Sequence, residues 1–158
     1  MNVNIGILDK EKLRTWLVLL RQTDIFKKSV DAKLKEQYGV SISRFDVLSA
    51  LDRAGQDGLK AGDLTKKLVA SDGNTTQVTT KLVRDGLIER RTSAQDRRCV
   101  IYALTQKGAL LFQEMAVCNA EQVASIFVNF TAEDLSTFKT LLGKLNLNDE
   151  DKLQEKIG

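Results

Sequence analysis

The segment from Leu87 to Thr105 constrains the fold of this chain more than any other. Two short runs that alternate apolar and polar residues flank a polar stretch that carries paired arginines. Such alternation is typical of strands, and two strands joined by a short polar segment form a β-hairpin. The chain contains no proline, and apolar residues elsewhere recur at three- and four-residue spacings. The sequence therefore predicts a mainly α-helical fold with one small β-hairpin.

Six helices are predicted around this hairpin. A long amphipathic helix runs from Asp9 to about Gln37, and helices of about 106–127 and of 131 onward follow the hairpin. Ser41 or Ser43 caps the second helix, in which Phe45, Leu48 and Leu51 point the same way. Leu59, Leu64 and Leu68 mark a short third helix. The fourth, over 75–84, is expected to be capped by Ser71 or Asp72, and Thr105 and Thr131 are expected to cap the last two.

The third and fourth helices with the hairpin have the proportions of a winged helix-turn-helix unit. We therefore predict one domain over 1–158, in which 41–104 form this unit and 147–158 form a tail. The flanking regions 1–38 and 106–146 are leucine-rich arms with no second domain to cover them. The simplest partner for such arms is a second copy of the chain, so a homodimer is expected. Its two fourth helices would reach successive grooves of an inverted-repeat DNA site about 34 Å apart.

The fourth helix places Asn74, Gln77, Lys81 and Arg84 on one face, a row of hydrogen-bond donors suited to base edges and phosphates. Between Lys81 and Arg98 there are six cationic residues against three acidic ones. Together they indicate double-stranded DNA as the ligand. An ordinary solvated turn and helix face are the alternative. The predicted DNA contacts are Asn74, Thr75, Thr76, Gln77, Thr80, Lys81, Arg84, Arg90, Arg91, Asp96, Arg97 and Arg98.

Composition argues against several other classes of function. The chain has no histidine, which removes the usual general base and a common metal ligand, and it has no glycine-rich phosphate loop. We therefore expect no enzyme activity, no metal and no cofactor. Cys99 and Cys118 fit inert intracellular thiols, with redox sensing as the alternative. No membrane span or secretory signal is recognisable, so a cytoplasmic protein is expected.

Three motifs resemble the MarR family of bacterial transcriptional regulators: Asp85–Arg90, Asp96-Arg97-Arg98 and Leu104–Gly108, in the family's order and spacing. The resemblance covers nearly the whole chain. It implies a homodimer of winged-helix protomers that represses nearby genes until a small molecule binds. It also implies that Arg98 enters the minor groove of DNA and that Asp96 helps to hold this arginine in place.

A second resemblance concerns the effector. Arg44–Leu48 and Gly73–Thr76 resemble a branch of the family that responds to aromatic acids or their coenzyme A thioesters. Candidate residues for a pocket are Trp16, Arg44, Phe45, Phe112 and Met115. Apolar residues at helical spacing are equally typical of a core, and Arg44 can hold an anion or form a salt bridge within the chain.

Three functions remain open at this point. The first is a DNA-binding repressor that a small molecule releases. The second is an architectural DNA-binding protein that needs no effector, and the third is a module whose winged helix binds another protein. The donor-rich face of the fourth helix argues against the third, because protein-binding faces usually carry exposed apolar anchors.

Overall fold

A computed structural model describes residues 6–69, 74–93, 96 and 98–145. Two compact units make up the chain, Met1–Gln122 and Val123–Gly158. The helices are α1 (Ile7–Tyr38), α2 (Ile42–Ala54), α3 (Ala61–Lys67), α4 (Thr75–Arg84), α5 (Gln106–Ile126) and α6 (Ala132–Gly143). The strands are β1 (Leu59–Lys60), β2 (Ile88–Thr92) and β3 (Val100–Leu104). The predicted fold class, mainly helical with a β-hairpin wing, is confirmed.

The end of α1 and the start of α2 follow the local sequence signals. Gly39 terminates α1 in the left-handed conformation (φ 65°), and its N–H donates to the carbonyl of Lys35. Glycine adopts this conformation without the steric penalty that a Cβ brings. Ser41 rather than Ser43 caps α2, since its side chain accepts a hydrogen bond from the N–H of Arg44. Both junctions lie where the sequence placed them.

The sheet has three antiparallel strands in the order β1-β3-β2, one more than the predicted hairpin. Ile88 pairs with Leu104 and Thr92 with Val100, while Leu59 pairs with Tyr102 on the other side of β3. Leu59 was expected in the third helix, and that prediction was wrong. Gly58 explains the difference: it has φ 71°, and a Cβ there would lie 2.2 Å from the carbonyl oxygen of Tyr102. Only glycine brings the chain this close to β3.

The core of the first unit forms around α2. Leu48 and Leu51, which were predicted to point the same way as Phe45, are fully buried there, and Phe45 is partly buried against the same core. Helices α3, α4 and α5 and strand β2 each contribute fully or almost fully buried side chains, which include Leu64, Leu82, Ile88 and Met115. Helix α4 is therefore fixed by a core that it shares with the wing strands.

The backbone at Gly86 and Leu87 joins the end of α4, the start of β2 and the start of α5. The Thr105 hydroxyl donates to the carbonyls of Gly86 (2.7 Å) and Leu87 (3.1 Å) and accepts from the N–H of Gly108 (3.0 Å). Thr105 thus caps α5, as predicted. A Cβ on Gly108 would lie 1.8 Å from the carbonyl oxygen of Leu87. Helix α5 can start here only because residue 108 has no side chain.

The second unit begins within α5 and contains α6. Thr131 and Asp134 form a reciprocal capping box at the start of α6, which confirms the predicted signal. These hydrogen bonds from Thr131 lower the pKa of the Asp134 carboxyl below its usual value. The rings of Phe127, Phe130 and Phe138 stack edge to face in sequence, with centroids 5.3 and 5.9 Å apart. The start of α6 is therefore fixed both by its cap and by aromatic packing.

The variant Gly108→Ala is expected to lower the free energy of unfolding by at least about 2 kcal/mol, because the new Cβ would overlap the Leu87 backbone, which cannot rotate away as a side chain would. Chemical denaturation monitored by circular dichroism measures the change. Gly62→Ala is the matched control: it lies in α3, where a Cβ meets no atom within 4 Å. The control should stay within about 1 kcal/mol of the wild type. Equal stability of the two variants would contradict the close approach.

Candidate nucleic-acid interface

Helix α4 has one buried face and one exposed polar face. Thr79 and Leu82 lie in the core. The exposed face carries five of the predicted contacts, namely Thr76, Gln77, Thr80, Lys81 and Arg84. Thr76 and Thr80 are tied together, since the Thr80 hydroxyl donates to the Thr76 carbonyl at 2.8 Å. The structure thus brings these five residues onto one helix surface, which the spacing predicts for Gln77, Lys81 and Arg84.

Asn74 caps this helix. Its side-chain oxygen accepts from the N–H of Gln77 (3.1 Å), and its amide nitrogen donates to Oε1 of Gln77 (3.1 Å). The predicted cap, Ser71 or Asp72, was therefore wrong; both residues lie outside the described part of the chain. The sequence placed Asn74 on the contact face, but its side chain is occupied at the helix start. Gln77 keeps its amide N–H groups for a ligand, while its oxygen already accepts one hydrogen bond.

Thr75 differs from the other predicted contacts on α4. Its side chain is buried, and its hydroxyl oxygen has no hydrogen-bond partner in the described structure. A threonine at the first helical position contributes its backbone to the helix end, where N–H groups lack partners within the helix. We therefore do not assign a ligand contact to the side chain of Thr75.

The two arginines of strand β2 have different environments. Arg91 donates to the backbone carbonyl of Gln56 (2.7 Å) and pairs with Glu89 (Nε to Oε1, 3.1 Å). Its side chain thus ties the wing to the turn that follows α2. Arg90 is exposed, and it is paired through its backbone with Tyr102. Of Arg90 and Arg91, Arg90 is therefore the better candidate to bind a phosphate of DNA.

The described part of the wing tip forms a hydrogen-bonded turn. Oδ1 of Asp96 accepts from the N–H of Arg98 (2.9 Å), and the carbonyl of Asp96 accepts from the N–H of Cys99 (2.9 Å). The N–H of Ser93 donates to the Cys99 carbonyl and closes the turn. Asp96 therefore fixes the backbone of Arg98, whose side chain is exposed. Arg97 lies outside the described residues.

Arg44 forms a salt bridge within the chain. It donates to Oδ2 of Asp85, the residue that follows α4, and its side chain is only 17% exposed. The guanidinium lowers the pKa of the Asp85 carboxyl below its usual 3.8. Lys107 donates to the backbone carbonyl of Asp85 (2.9 Å). Of the two alternatives for Arg44, an anion or a salt bridge, the structure shows the salt bridge.

The other candidate pocket residues are dispersed. The rings of Phe45 and Phe112 pack together, with centroids 5.5 Å apart. Met115 is completely buried in the core, and Trp16 is exposed on α1. A cleft of about 350 Å³ lies elsewhere; its lining includes Leu51, Asp52, Gln56, Leu104, Gln106 and Ala109, and none of the five candidates. The structure brings Phe45 and Phe112 together but does not gather the predicted set around this cleft.

Both cysteines lie in the first unit and in different elements. Cys118 is buried on α5, and its thiol donates to the side chain of Gln37 on α1. Cys99 is half-buried at the end of the wing tip. No group of His, Cys, Asp and Glu side chains suited to a metal ion occurs among the described residues. None of the described helices is long and apolar enough to cross a membrane.

Sequence reasoning missed the residues that support this surface. Asp85, Lys107 and Gly108 hold the end of α4 and the start of α5, yet none was predicted as a site residue. Their signal was present in the two motifs that carried the family resemblance, 85–90 and 104–108. Those motifs are close in space because the wing returns the chain to the end of α4.

Comparisons with known proteins agree with this arrangement. The MarR family model matches residues 40–100. An uncharacterized HTH-type transcriptional regulator, YfiV of Bacillus subtilis, is 30% identical over 112 residues, which cover 70% of this chain and 68% of YfiV. This chain belongs to the MarR family. Its general function is therefore transcription regulation through DNA binding. Proteins of this family are not enzymes.

Two further matches describe how far the likeness of this MarR-family chain extends. The HTH-type transcriptional regulator PapX of Escherichia coli is 28% identical over 68% of this chain, and the chain spans 66% of PapX, slightly under two thirds. A crystal structure of S. aureus MepR in complex with DNA has a TM-score of 0.72 and 26% identity, and covers 83% of this chain and 94% of MepR. The fold therefore extends well beyond the 61 residues of the family model.

Lowering the pH should weaken the contribution of the salt bridge between Arg44 and Asp85 to stability. Because the pKa of Asp85 is lower in the folded chain than in the unfolded chain, the pair contributes fully to stability above pH 3.8 and loses this contribution as the pH falls through the folded value. Asp85→Asn should thus be less stable than the wild type at neutral pH, and the difference should shrink as the pH falls below 3.8. Thermal unfolding across this range measures it.

Asp63→Asn is the control for this experiment. Asp63 is an exposed aspartate whose partner Lys66 is also exposed, at 3.8 Å. Exposed pairs of this kind contribute little to stability, so the control curve should run parallel to that of the wild type. A gap between Asp85→Asn and the wild type that stays constant with pH would contradict the assignment.

Proposed function

We propose that the chain is a homodimeric, sequence-specific repressor that binds an inverted-repeat site in double-stranded DNA and is released by a small molecule. The observation that carries this proposal is the exposed polar face of α4 beside a wing whose arginine is fixed by Asp96. A helix reading base edges in the major groove and an arginine in the adjacent minor groove are complementary modes of recognition.

Helix α4 is the element proposed for the major groove. Because Oε1 of Gln77 accepts from Asn74, its amide N–H groups are what it offers to a base. This arrangement favours acceptor edges, such as O6 and N7 of guanine or O4 of thymine. A bidentate contact with adenine also uses the Gln77 oxygen, which has a second lone pair beside the one that accepts from Asn74. Lys81 and Arg84 provide charge for bases or phosphates.

The wing is proposed to enter the minor groove through Arg98. A narrow minor groove concentrates negative potential and favours an inserted guanidinium. The carboxylate of Asp96 supports this role by accepting from the backbone N–H of Arg98, which orients the turn without using the guanidinium. Arg90 is proposed as a phosphate contact near the base of the wing, whereas Arg91 positions the wing through Gln56.

The homodimer is supported by apolar side chains that a single chain leaves exposed. On α1 these are Ile7, Leu13, Trp16, Leu17, Val18, Leu20, Ile25 and Phe26. Helix α6 of the second unit exposes Leu141 and Leu142. Exposed apolar patches of this extent mark interaction surfaces in soluble proteins. A symmetric dimer covers the same patch on both copies at once.

The repressor role and the effector rest on the family resemblance. An aromatic acid or a coenzyme A thioester is proposed from the motif at 44–48; of the candidate pocket residues, Phe45 and Phe112 pack against each other. Such a ligand relieves repression only if it binds more tightly to a dimer geometry that does not match the operator.

The first experiment selects fragments that the purified protein retains from random and genomic DNA over a series of salt concentrations. Enrichment of one inverted repeat supports a sequence-specific regulator, and its neighbouring genes suggest effectors to test for release. Unselective, salt-sensitive retention would instead indicate the architectural alternative. Absence of retention at low salt would overturn DNA binding and favour a protein partner.

Arg98→Ala should weaken binding to the selected fragment by about tenfold or more, which corresponds to about 1.4 kcal/mol, without loss of the dimer. Fluorescence anisotropy measures the affinity, and sedimentation measures the dimer. Arg21→Ala on α1 removes the same charge away from α4 and the wing and serves as the control. Unchanged affinity in Arg98→Ala would remove the wing from the interface.

Leu17→Glu should shift the protein from dimer to monomer, because it places a charge within the exposed apolar stripe of α1. Light scattering after size-exclusion chromatography measures the mass. The control, Gln22→Glu, adds the same charge about 140° around the helix axis from Leu17, outside the row formed by Leu13, Trp16, Leu17 and Leu20. If both variants remain dimeric, the dimer does not use this stripe.

A further inference from the structure

Asp85 lies between two arginines of different exposure. Its Oδ2 accepts from Arg44, whose side chain is 17% exposed, and its Oδ1 lies 3.5 Å from Nε of Arg84, whose side chain is 75% exposed. The contact with Arg44 is a hydrogen bond, whereas that with Arg84 is a longer ion pair. The same carboxylate therefore neutralises the partly buried guanidinium of Arg44 and competes for that of Arg84 on the exposed face of α4.

The buried arginine determines how strongly Asp85 engages the exposed one. A carboxylate that already accepts a hydrogen bond from one guanidinium attracts a second one less, because the first partner offsets much of its negative charge. Lys107 donates to the backbone carbonyl of Asp85 at 2.9 Å and so helps to hold this residue at the end of α4. If the charge of Arg44 were removed, Asp85 would turn its full charge toward Arg84.

We infer that Arg44 is a positioning residue for DNA binding: by engaging Asp85 it leaves the guanidinium of Arg84 available to a phosphate. This inference rests on the proposed DNA-binding function and adds to it a residue on α2, outside the contact surface. Arg44 itself touches no DNA in this scheme. Its effect reaches the ligand only through Asp85 and Arg84, which makes it distinguishable from a general loss of stability.

The readout is how the affinity for duplex DNA of mixed sequence depends on salt concentration, measured for the wild type and for each variant. Each phosphate contact contributes about 0.9 to the slope of log K against log salt concentration. Arg44→Gln should make the slope shallower by about this amount, and lower affinity about tenfold at low salt with a smaller loss at high salt. Arg44→Lys keeps the charge beside Asp85 and should restore the wild-type slope.

Two double variants separate this route from a structural effect. Arg44→Gln combined with Asp85→Asn removes both charges of the pair and should return the slope to the wild-type value, because no carboxylate then competes for Arg84. It also avoids an uncompensated charge, so it guards against loss of folding in the single variant. The single variant Arg84→Gln should itself make the slope shallower. Adding Arg44→Gln to it should cause no further change in the slope.

Several outcomes would overturn the inference. One is a loss of affinity in Arg44→Gln with an unchanged slope; another is an equal loss of slope in the Asp85→Asn background or in the control Arg21→Gln, which removes a distant charge. If the wild type itself does not retain duplex DNA, the proposed function fails and the inference fails with it. Retention by the wild type with additive effects of Arg44 and Arg84 rejects the inference alone.

Discussion

The close approach between the start of α5 and the backbone of Leu87 is the contact on which the rest of the structure depends. The carbonyl of Leu87 accepts from both the N–H and the hydroxyl of Thr105, and Gly108 permits the distance. Thr105 follows β3 and Leu87 precedes β2, so the contact closes the hairpin at its base and sets the pairing of Ile88 with Leu104. It also fixes the end of α4, because the N–H of Leu87 donates to the carbonyl of Leu82. The wing and α4 are thereby positioned by one set of backbone hydrogen bonds, which a change in either element would disturb.

Features encoded by neighbouring residues were predictable from the sequence. Gly39 ends α1, Ser41 begins α2, and Thr131 with Asp134 begins α6, because each of these signals acts through hydrogen bonds that span only three or four residues. The wing strands were predictable for a related reason, since alternation of apolar residues is a local pattern. The exposed face of α4 followed from helical periodicity alone. What these successes share is that no distant part of the chain is needed to decide them.

The remaining features depend on contacts between distant residues. Strand β1 has only two residues, and it exists because β3 offers an unpaired edge to a chain that Gly58 brings within reach. Asn74 caps α4 in place of two earlier candidates of similar propensity, and the composition of the segment does not choose among them. Arg91 binds a carbonyl 35 residues away, and Arg44 binds a carboxylate 41 residues away. A count of basic residues treats these arginines alike, whereas the fold gives each a different partner.

The arginines differ in which groups they bind within the protein, and this difference affects how this family member is expected to bind DNA. Arg91 and Arg44 use their guanidinium groups within the protein, Arg98 is oriented through its backbone, and Arg84 shares a carboxylate with Arg44. A guanidinium that is already paired releases less free energy on meeting a phosphate, because it must first give up its partner. The salt dependence of binding should therefore report fewer contacts than the basic residues of α4 and the wing suggest. Charged residues at such an interface act in two ways, as contacts and as the partners that decide which contacts are available, and the distinction lies in the tertiary structure rather than in the composition.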